Sequence, residues 1–151
     1  MNQERYQLLS HKNHLNFEFV SEGPNGKIKK IVRFSPENIG GATFFNLAFG
    51  HWDEEIGDID DQAISNNKDT IKILATVAET VIAVTEYFPD MMVAAQGSTP
   101  GRTRLYQMGI AANLNKIKKA LEVFGLNKGR WEPFTRNINY EAFSVKFKET
   151  V

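Results

Sequence analysis

The sequence predicts an α+β fold with a mainly antiparallel sheet, one long helix, and a second, kinked or broken helix packed on it. Three observations favour this class. Strand-like alternation of apolar and polar residues occupies both ends of the chain, helical periodicity occupies the middle, and a short apolar run separates the two helical segments. The predicted order of elements is roughly βββαβααββ, in a single α+β domain that spans residues 1–151.

The composition narrows the classes of protein that fit. The 151 residues include 18 Lys+Arg, 18 Asp+Glu, three His and no Cys. A disulfide framework, a thiolate nucleophile and an iron–sulfur cluster are therefore excluded. The zero net charge argues against a general coat for nucleic acid or anionic membrane, but it permits a local basic patch. The polar start has no secretory signal and no apolar run of about 18 residues occurs, so we expect a cytoplasmic protein with no membrane association.

A β-hairpin is predicted first. Apolar residues alternate with polar ones over residues 15–20 and return at 28–34, and the dipeptide Asn25-Gly26 between them suits a tight turn. The period of two places Lys30 on the same strand face as Phe34. The neighbouring lysines make this a basic hairpin, which is typical of a solubilising edge strand and, less often, of a surface for single-stranded nucleic acid.

A third strand, Thr43 to Phe49, is predicted to be buried on both faces because five of its seven residues are apolar. The long helix follows, with cap-forming residues at 65–67 and with Asp69 in its first turn. It is expected to run to about Phe88, with Ile71 on its apolar face. Residues 91–95 then form a short apolar run that predicts a central strand.

The second helix is predicted to begin after Ser98 or Thr99, either of which suits an N-cap. Its apolar stripe changes face near Asn113, and a straight helix does not explain this, so we expect a break or kink there and helix continuing to about Phe124. Two strands are predicted to complete the fold after a turn at residues 127–129.

Several segments together resemble a family of short bacterial hypothetical proteins. These segments are GSTPGRTRLYQMGI, FEFVSEGPNGKIKKIVRF, FNLAFG, IDDQAISNNKDTIKILATVAETV and NYEAF, and they cover nearly the whole chain. The family is a domain of unknown function, so the resemblance implies a class of protein and no chemistry. Gly101 stands where the family usually has Ala, and Lys68 stands where it usually has Gly. No catalytic or binding residue is carried over.

The strongest candidate site is the strand-to-helix turn at residues 97–106. A helix start presents unpaired backbone N–H groups and the positive end of the helix dipole, which favour an anion, and a guanidinium grips phosphate or carboxylate. The predicted anion-binding residues are Ser98, Thr99, Arg102, Thr103 and Tyr106, with Arg104 directed elsewhere. Neither a Walker loop nor a dinucleotide fingerprint is present, and a capped helix start with structural arginines is the competing interpretation.

An acidic segment at residues 53–61 offers oxygen ligands for a hard cation. Asp58, Asp60 and Asp61 are the candidates for magnesium, although the spacing of a calcium-binding loop is absent and a solvated loop is the simpler interpretation. His51, which lies next to this segment, is either a general base or a surface histidine.

The preferred function from sequence is a binding protein for a nucleotide or nucleic-acid phosphate, without a resident cofactor. One alternative is a metal-assisted phosphodiesterase or nuclease that uses magnesium. Another is a small protein partner in a bacterial two-gene module, with Trp52, Trp131 and Phe134 as exposed aromatics. The sequence leaves open the ligand, the presence of enzyme activity, the oligomeric state, the strand order and whether the acidic segment approaches Arg102.

Overall fold

A computed structural model describes residues 4–60 and 67–148 of the chain. Over these ranges the protein is α+β, with nine strands in one mainly antiparallel sheet and three helices, which confirms the predicted fold class. The elements in chain order are β1 (Leu9–Ser10), β2 (Asn16–Gly23), β3 (Gly26–Ile39), β4 (Ala42–Asp53), β5 (Asp58–Asp60), α1 (Thr70–Tyr87), β6 (Val93–Ala95), α2 (Pro100–Ala112), α3 (Leu114–Ala120), β7 (Leu121–Asn127), β8 (Arg130–Pro133) and β9 (Phe143–Phe147).

The strand order across the sheet is β1-β2-β3-β4-β6-β9-β7-β8, and the short β5 pairs with β4 beside this path. The β4–β6 pair is parallel, and the other pairs are antiparallel. Strand β6 therefore lies in the middle of the sheet, as its apolar run predicted. None of the helices in the described ranges has the length and apolarity needed to cross a membrane.

The first hairpin forms as predicted, with Gly23 opposite Gly26 across the β2–β3 turn. Gly26 has φ +87, a conformation that favours glycine. The side chain of Asn67, just before α1, holds this turn: its Oδ1 accepts from the Asn25 N–H at 2.8 Å, and its Nδ2 donates to the Gly26 carbonyl at 3.0 Å. The hairpin is thereby attached to the chain that enters the long helix.

Strands β3 and β4 form the longest ladder, and its alternation defines the core. Val32 lies opposite Phe49, and Phe34 lies opposite Leu47, and all four side chains are buried. The other face of β4 is only half-buried, so the prediction of burial on both faces was wrong. The helices contribute the other side of the core, which includes buried residues of α1 and α3.

Helix α1 agrees closely with the predicted segment, but its buried face differs. Ile73, Val77, Thr80 and Val84 are buried, whereas Ile71 is 60% exposed. At about 100° per residue, Ile71 lies roughly 200° around the helix from Ile73, so the expected position of Ile71 in the core was wrong. Residues 65 and 66, two of the proposed cap residues, lie outside the described part of the chain.

The predicted break at Asn113 is confirmed, because α2 ends at Ala112 and α3 begins at Leu114. The predicted continuation of helix to Phe124 was wrong, since α3 ends at Ala120 and β7 follows at once. In β7 the buried residues alternate with exposed or half-buried ones, and each residue from 121 to 125 pairs with β9. Pairing with a strand distant in sequence thus overrides the helix-like local spacing.

Candidate functional site

Helix α2 begins with a capped turn in which two threonine hydroxyls accept hydrogen bonds from backbone N–H groups of the turn. Thr99 is the N-cap, and its Oγ1 accepts from the backbone N–H of Arg102 at 3.2 Å, with Pro100 at the first helical position. The Oγ1 of Thr103 accepts from the Gly97 N–H at 3.0 Å. These hydroxyls therefore stabilise the turn itself.

The side chain of Arg102 extends from this turn to the sheet. Its Nη2 donates to the backbone carbonyl of Phe49 on β4 at 3.0 Å, and its Cζ lies 5.6 Å from the centre of the Phe49 ring. That distance permits a cation–π interaction. Arg102 thus connects the start of α2 to the central part of β4.

Lys30 on β3 approaches the same aromatic ring. Its Nζ lies 5.9 Å from the ring centre of Phe49, and the residue is only 4% exposed. Among the residues that the structure describes, no hydrogen bond or ion pair joins the Lys30 ammonium to another group. Buried lysines are normally paired, so this one stands out as a candidate functional group.

His51 completes the group, because it lies directly opposite Lys30 in the β3–β4 register. Its Nε2 atom is buried and has no hydrogen-bond partner in the described part of the chain. Burial, together with the charges of Lys30 and Arg102, lowers the pKa of His51, while Asp60 acts in the opposite direction. We call Lys30, His51 and Arg102 the Phe49 cluster.

The Phe49 cluster carries excess positive charge at close range. Burial and the Arg102 charge lower the pKa of Lys30 to about 8, although Asp69 opposes the shift. The Asp69 carboxylate is itself occupied, since its Oδ2 accepts from the hydroxyls of Tyr6 and Ser21, each at 2.5 Å. Within residues 4–60 and 67–148, no carboxylate lies within 4.0 Å of the Lys30 or Arg102 cation.

The structure separates the five residues that the sequence grouped as an anion site. Arg102 belongs to the Phe49 cluster, and Tyr106 is 7% exposed and packs in the hydrophobic core. Ser98, Thr99 and Thr103 instead line an open cleft of about 550 Å³, together with Arg104. Arg102 therefore contacts β4, whereas Arg104 lines the open cleft.

The candidate metal ligands of the acidic segment also have separate surroundings. The Asp58 carboxylate pairs with Arg33 at 2.9 Å and accepts from the Ile59 N–H, and these hydrogen bonds lower its pKa. Asp60 pairs with His51 in the β4–β5 register, so this end of the segment lies beside the Phe49 cluster. Asp61 is outside the described residues. Within the described ranges, the described part of this segment included, no group of three or more His, Asp or Glu residues is arranged to hold a metal ion.

Sequence reasoning missed Lys30 as a site residue, although one signal for it was present. The alternation along β3 placed Lys30 on the face of Phe34, and a charge on an apolar face is the informative exception. That this face meets Arg102, 72 positions further along the chain, is visible only in the tertiary structure.

Fold and site together define a small α+β protein in which a buried lysine and a partly exposed arginine meet between the sheet and the start of a helix. A family model described as Family of unknown function (DUF6934) matches residues 2–148, and the chain therefore belongs to this family. The resemblance to a domain of unknown function is thus confirmed. Neither the curated proteins nor the solved structures include a match to the chain.

Proposed function

We propose that this protein binds a small anionic ligand at the Phe49 cluster, and that the recognised group is a phosphate, such as that of a nucleotide. One observation carries the proposal: Lys30 and Arg102 converge on Phe49 without a carboxylate partner in the described residues, while Nε2 of the adjacent His51 is buried and unpartnered. An anion would supply the charge and the hydrogen bonds that this arrangement lacks.

The mechanism would be recognition by charge and hydrogen bonding. The hydrogen bond to the Phe49 carbonyl oxygen uses one N–H of the Arg102 guanidinium, and the remaining N–H donors of this five-donor group would bind an oxyanion. Lys30 would neutralise a second oxygen. The His51 imidazole would supply one further hydrogen bond through Nε2. Because a bound anion favours the charged form of Lys30, binding near pH 8 should be accompanied by proton uptake.

Calorimetry and thermal shift with inorganic phosphate and AMP, first without metal, test this proposal. Ligand that binds only the folded state raises the melting temperature by mass action, so the wild type should be stabilised by millimolar ligand. Arg102→Met and Lys30→Met should each abolish the shift. Arg104→Met is the matched control on the same helix, because Arg104 lines the open cleft instead, and it should retain binding.

Two results would contradict the proposal. One is the absence of any shift for the wild type with either anion at millimolar concentration. The other is an equal loss of binding in Arg104→Met, which would assign the anion to the open cleft. Heats of binding measured at pH 8 in two buffers of different ionisation enthalpy check the expected proton uptake.

The same screen separates the two alternative functions. Stabilisation by a short oligonucleotide that requires magnesium would favour the phosphodiesterase or nuclease, with Asp60 beside His51 as the nearest carboxylate in the β4–β5 register. Loss of hydrolysis in Asp60→Asn with retained phosphate binding would then support it. If no anion binds, a protein partner becomes the better hypothesis, and Trp131, which is 51% exposed, would be its contact. The expected exposure of Phe134 was wrong, because this ring is buried.

A further inference from the structure

Lys30 has an environment that a purely electrostatic role does not require. It is more than nine-tenths buried, lies against an aromatic ring, has no ion-pair partner in the described residues, and shares that ring with a second cation, Arg102. A lysine that only neutralises an anion works well at a solvated surface, where its charge costs little. Burial next to another cation instead favours the neutral amine, which is the nucleophilic form.

We propose that Lys30 forms an imine with the carbonyl carbon of an aldehyde or ketone that also carries a carboxylate or phosphate group held by Arg102. This inference rests on the proposed anion site and names the class of ligand for it. It adds a covalent role for one residue of the Phe49 cluster and a specific chemistry for the ligand.

The step balances without an oxidant or a reductant. The protonated Lys30 first gives up one proton, and its nitrogen lone pair attacks the carbonyl carbon while the C=O π electrons move to oxygen. The carbinolamine then loses its oxygen as water, and the C=N bond forms. The overall change converts one ammonium and one carbonyl into one iminium and one water, so the positive charge at position 30 is kept beside the anionic group.

Two neighbours are placed to assist this step. His51 lies opposite Lys30 in the ladder, and since its pKa is lowered by burial and by Lys30, it is neutral near pH 7 and can accept the proton from nitrogen. Arg102 would hold the anionic end of the ligand. His51, Asp60 and Arg102 are each partly exposed, whereas Lys30 itself is buried, so a ligand would approach Lys30 from the side of these three residues.

The chemistry can be tested on the unmodified full chain. Glyoxylate, which joins an aldehyde to a carboxylate, is incubated with the protein at pH 7 in the presence of cyanoborohydride, and modified lysines are identified by peptide mass mapping. Reduction traps an imine as a stable carboxymethyl adduct. Lys27 and Lys29, which are exposed on the same strand, are internal controls. At pH 7 an amine of pKa about 8 is about 10% neutral, whereas an ordinary lysine is far below that, so adduct at Lys30 should exceed that at the controls by about tenfold or more.

Propionaldehyde is the matched neutral probe, because it has no anionic group for Arg102. We expect the preference for Lys30 to fall with propionaldehyde and with glyoxylate in Arg102→Met. Labelling of Lys30 equal to or below that of Lys27 and Lys29 in the wild type would overturn the proposal. An equal preference for both aldehydes would also overturn it, since the ligand would then need no anionic group.

Failure of the imine and failure of the anion site are distinguishable. If phosphate stabilises the protein through Arg102 but Lys30 is not trapped, the anion site stands and the covalent role is excluded. If Lys30 is trapped selectively but millimolar phosphate neither stabilises the protein nor competes with glyoxylate, the proposed phosphate-binding function is excluded.

Discussion

The guanidinium of Arg102 donates a hydrogen bond to the carbonyl oxygen of Phe49 at 3.0 Å, and it lies over the ring of the same residue. This contact attaches the first turn of α2 to β4, one of the two strands of the longest ladder. It also brings a second positive charge to the ring that Lys30 already approaches. Arg102 is therefore expected to contribute to the stability of the fold as well as to the proposed site.

Replacement of Arg102 by Met should lower the free energy of unfolding by about 1–2 kcal/mol. The variant loses one charge-assisted hydrogen bond and one partly buried cation–π contact, while it also relieves repulsion on Lys30. Urea denaturation provides the measurement. Arg104→Met, two residues further along the same helix and exposed, should change stability by no more than about 0.5 kcal/mol. Equal effects of the two substitutions would contradict a structural role for the Phe49 contact.

The stability of the protein should depend on pH through Lys30. The pKa of Lys30 is about 8 in the folded protein against 10.5 for an unperturbed lysine, so the unfolded chain binds more protons between these values. The free energy of unfolding should therefore rise as the pH increases from about 8 towards 10.5. Below about pH 8, Lys30 is charged in both states, and its charge destabilises the folded protein to the full extent. Urea titrations across this range check the slope.

Lys30→Met is the control for this pH dependence, because it removes the titrating amine but keeps much of the side-chain volume. The difference between wild type and variant cancels the contribution of the other groups that titrate in the same window. A parallel rise in both proteins would show that Lys30 is not its source.

Asp69, at the start of α1, should hold two other parts of the chain in place: the segment before β1 and strand β2. Its carboxylate accepts from both Tyr6 and Ser21, and the Ser21 side chain is fully buried. Asp69→Ala leaves two hydroxyls without this acceptor, so we expect a loss of about 2 kcal/mol or more in stability. Burial and the Asp69 hydrogen bond raise the pKa of Tyr6, so the phenol should titrate at lower pH in the variant, as measured by ultraviolet absorbance.

Asp90→Ala serves as the comparison for Asp69, because Asp90 is an exposed aspartate just beyond the other end of α1. It should alter stability by no more than about 0.5 kcal/mol and leave the Tyr6 titration unchanged. A Tyr6 titration that is the same in Asp69→Ala as in the wild type would be inconsistent with the hydrogen bond.

Two glycines near the start of α2 should respond oppositely to alanine. A Cβ at Gly97 would lie 2.3 Å from the Thr103 backbone nitrogen, and backbone atoms cannot move away easily, so Gly97→Ala should cost about 3 kcal/mol. A Cβ at Gly101 would meet only the Thr99 Oγ1, at 3.8 Å. Gly101→Ala should thus be neutral or stabilise by up to about 1 kcal/mol through helix propensity. Thermal denaturation of both variants measures the contrast, and a stabilised Gly97→Ala protein would contradict the packing of this turn.

Much of the fold followed from local patterns. The Asn25-Gly26 turn, a break or kink at Asn113, an N-cap at Ser98 or Thr99 and the central position of β6 were all predicted, because turn chemistry, capping and apolar runs act over a few neighbouring residues. The assignment of helix to residues 121–124 failed for the opposite reason, since β7 is stabilised by pairing with β9, which lies about 20 positions away and cannot be read from local spacing.

The candidate site shows the same division. The sequence by itself determined that the chain is α+β, that Lys30 lies on an apolar strand face and that Arg102 stands at a helix start. Only the tertiary structure decided that these two cations meet at Phe49, that His51 lies beside them, and that Tyr106 is in the core. The distance between the Lys30 and Arg102 charges depends on how α2 packs against the sheet. That packing is set by contacts between residues far apart in the chain.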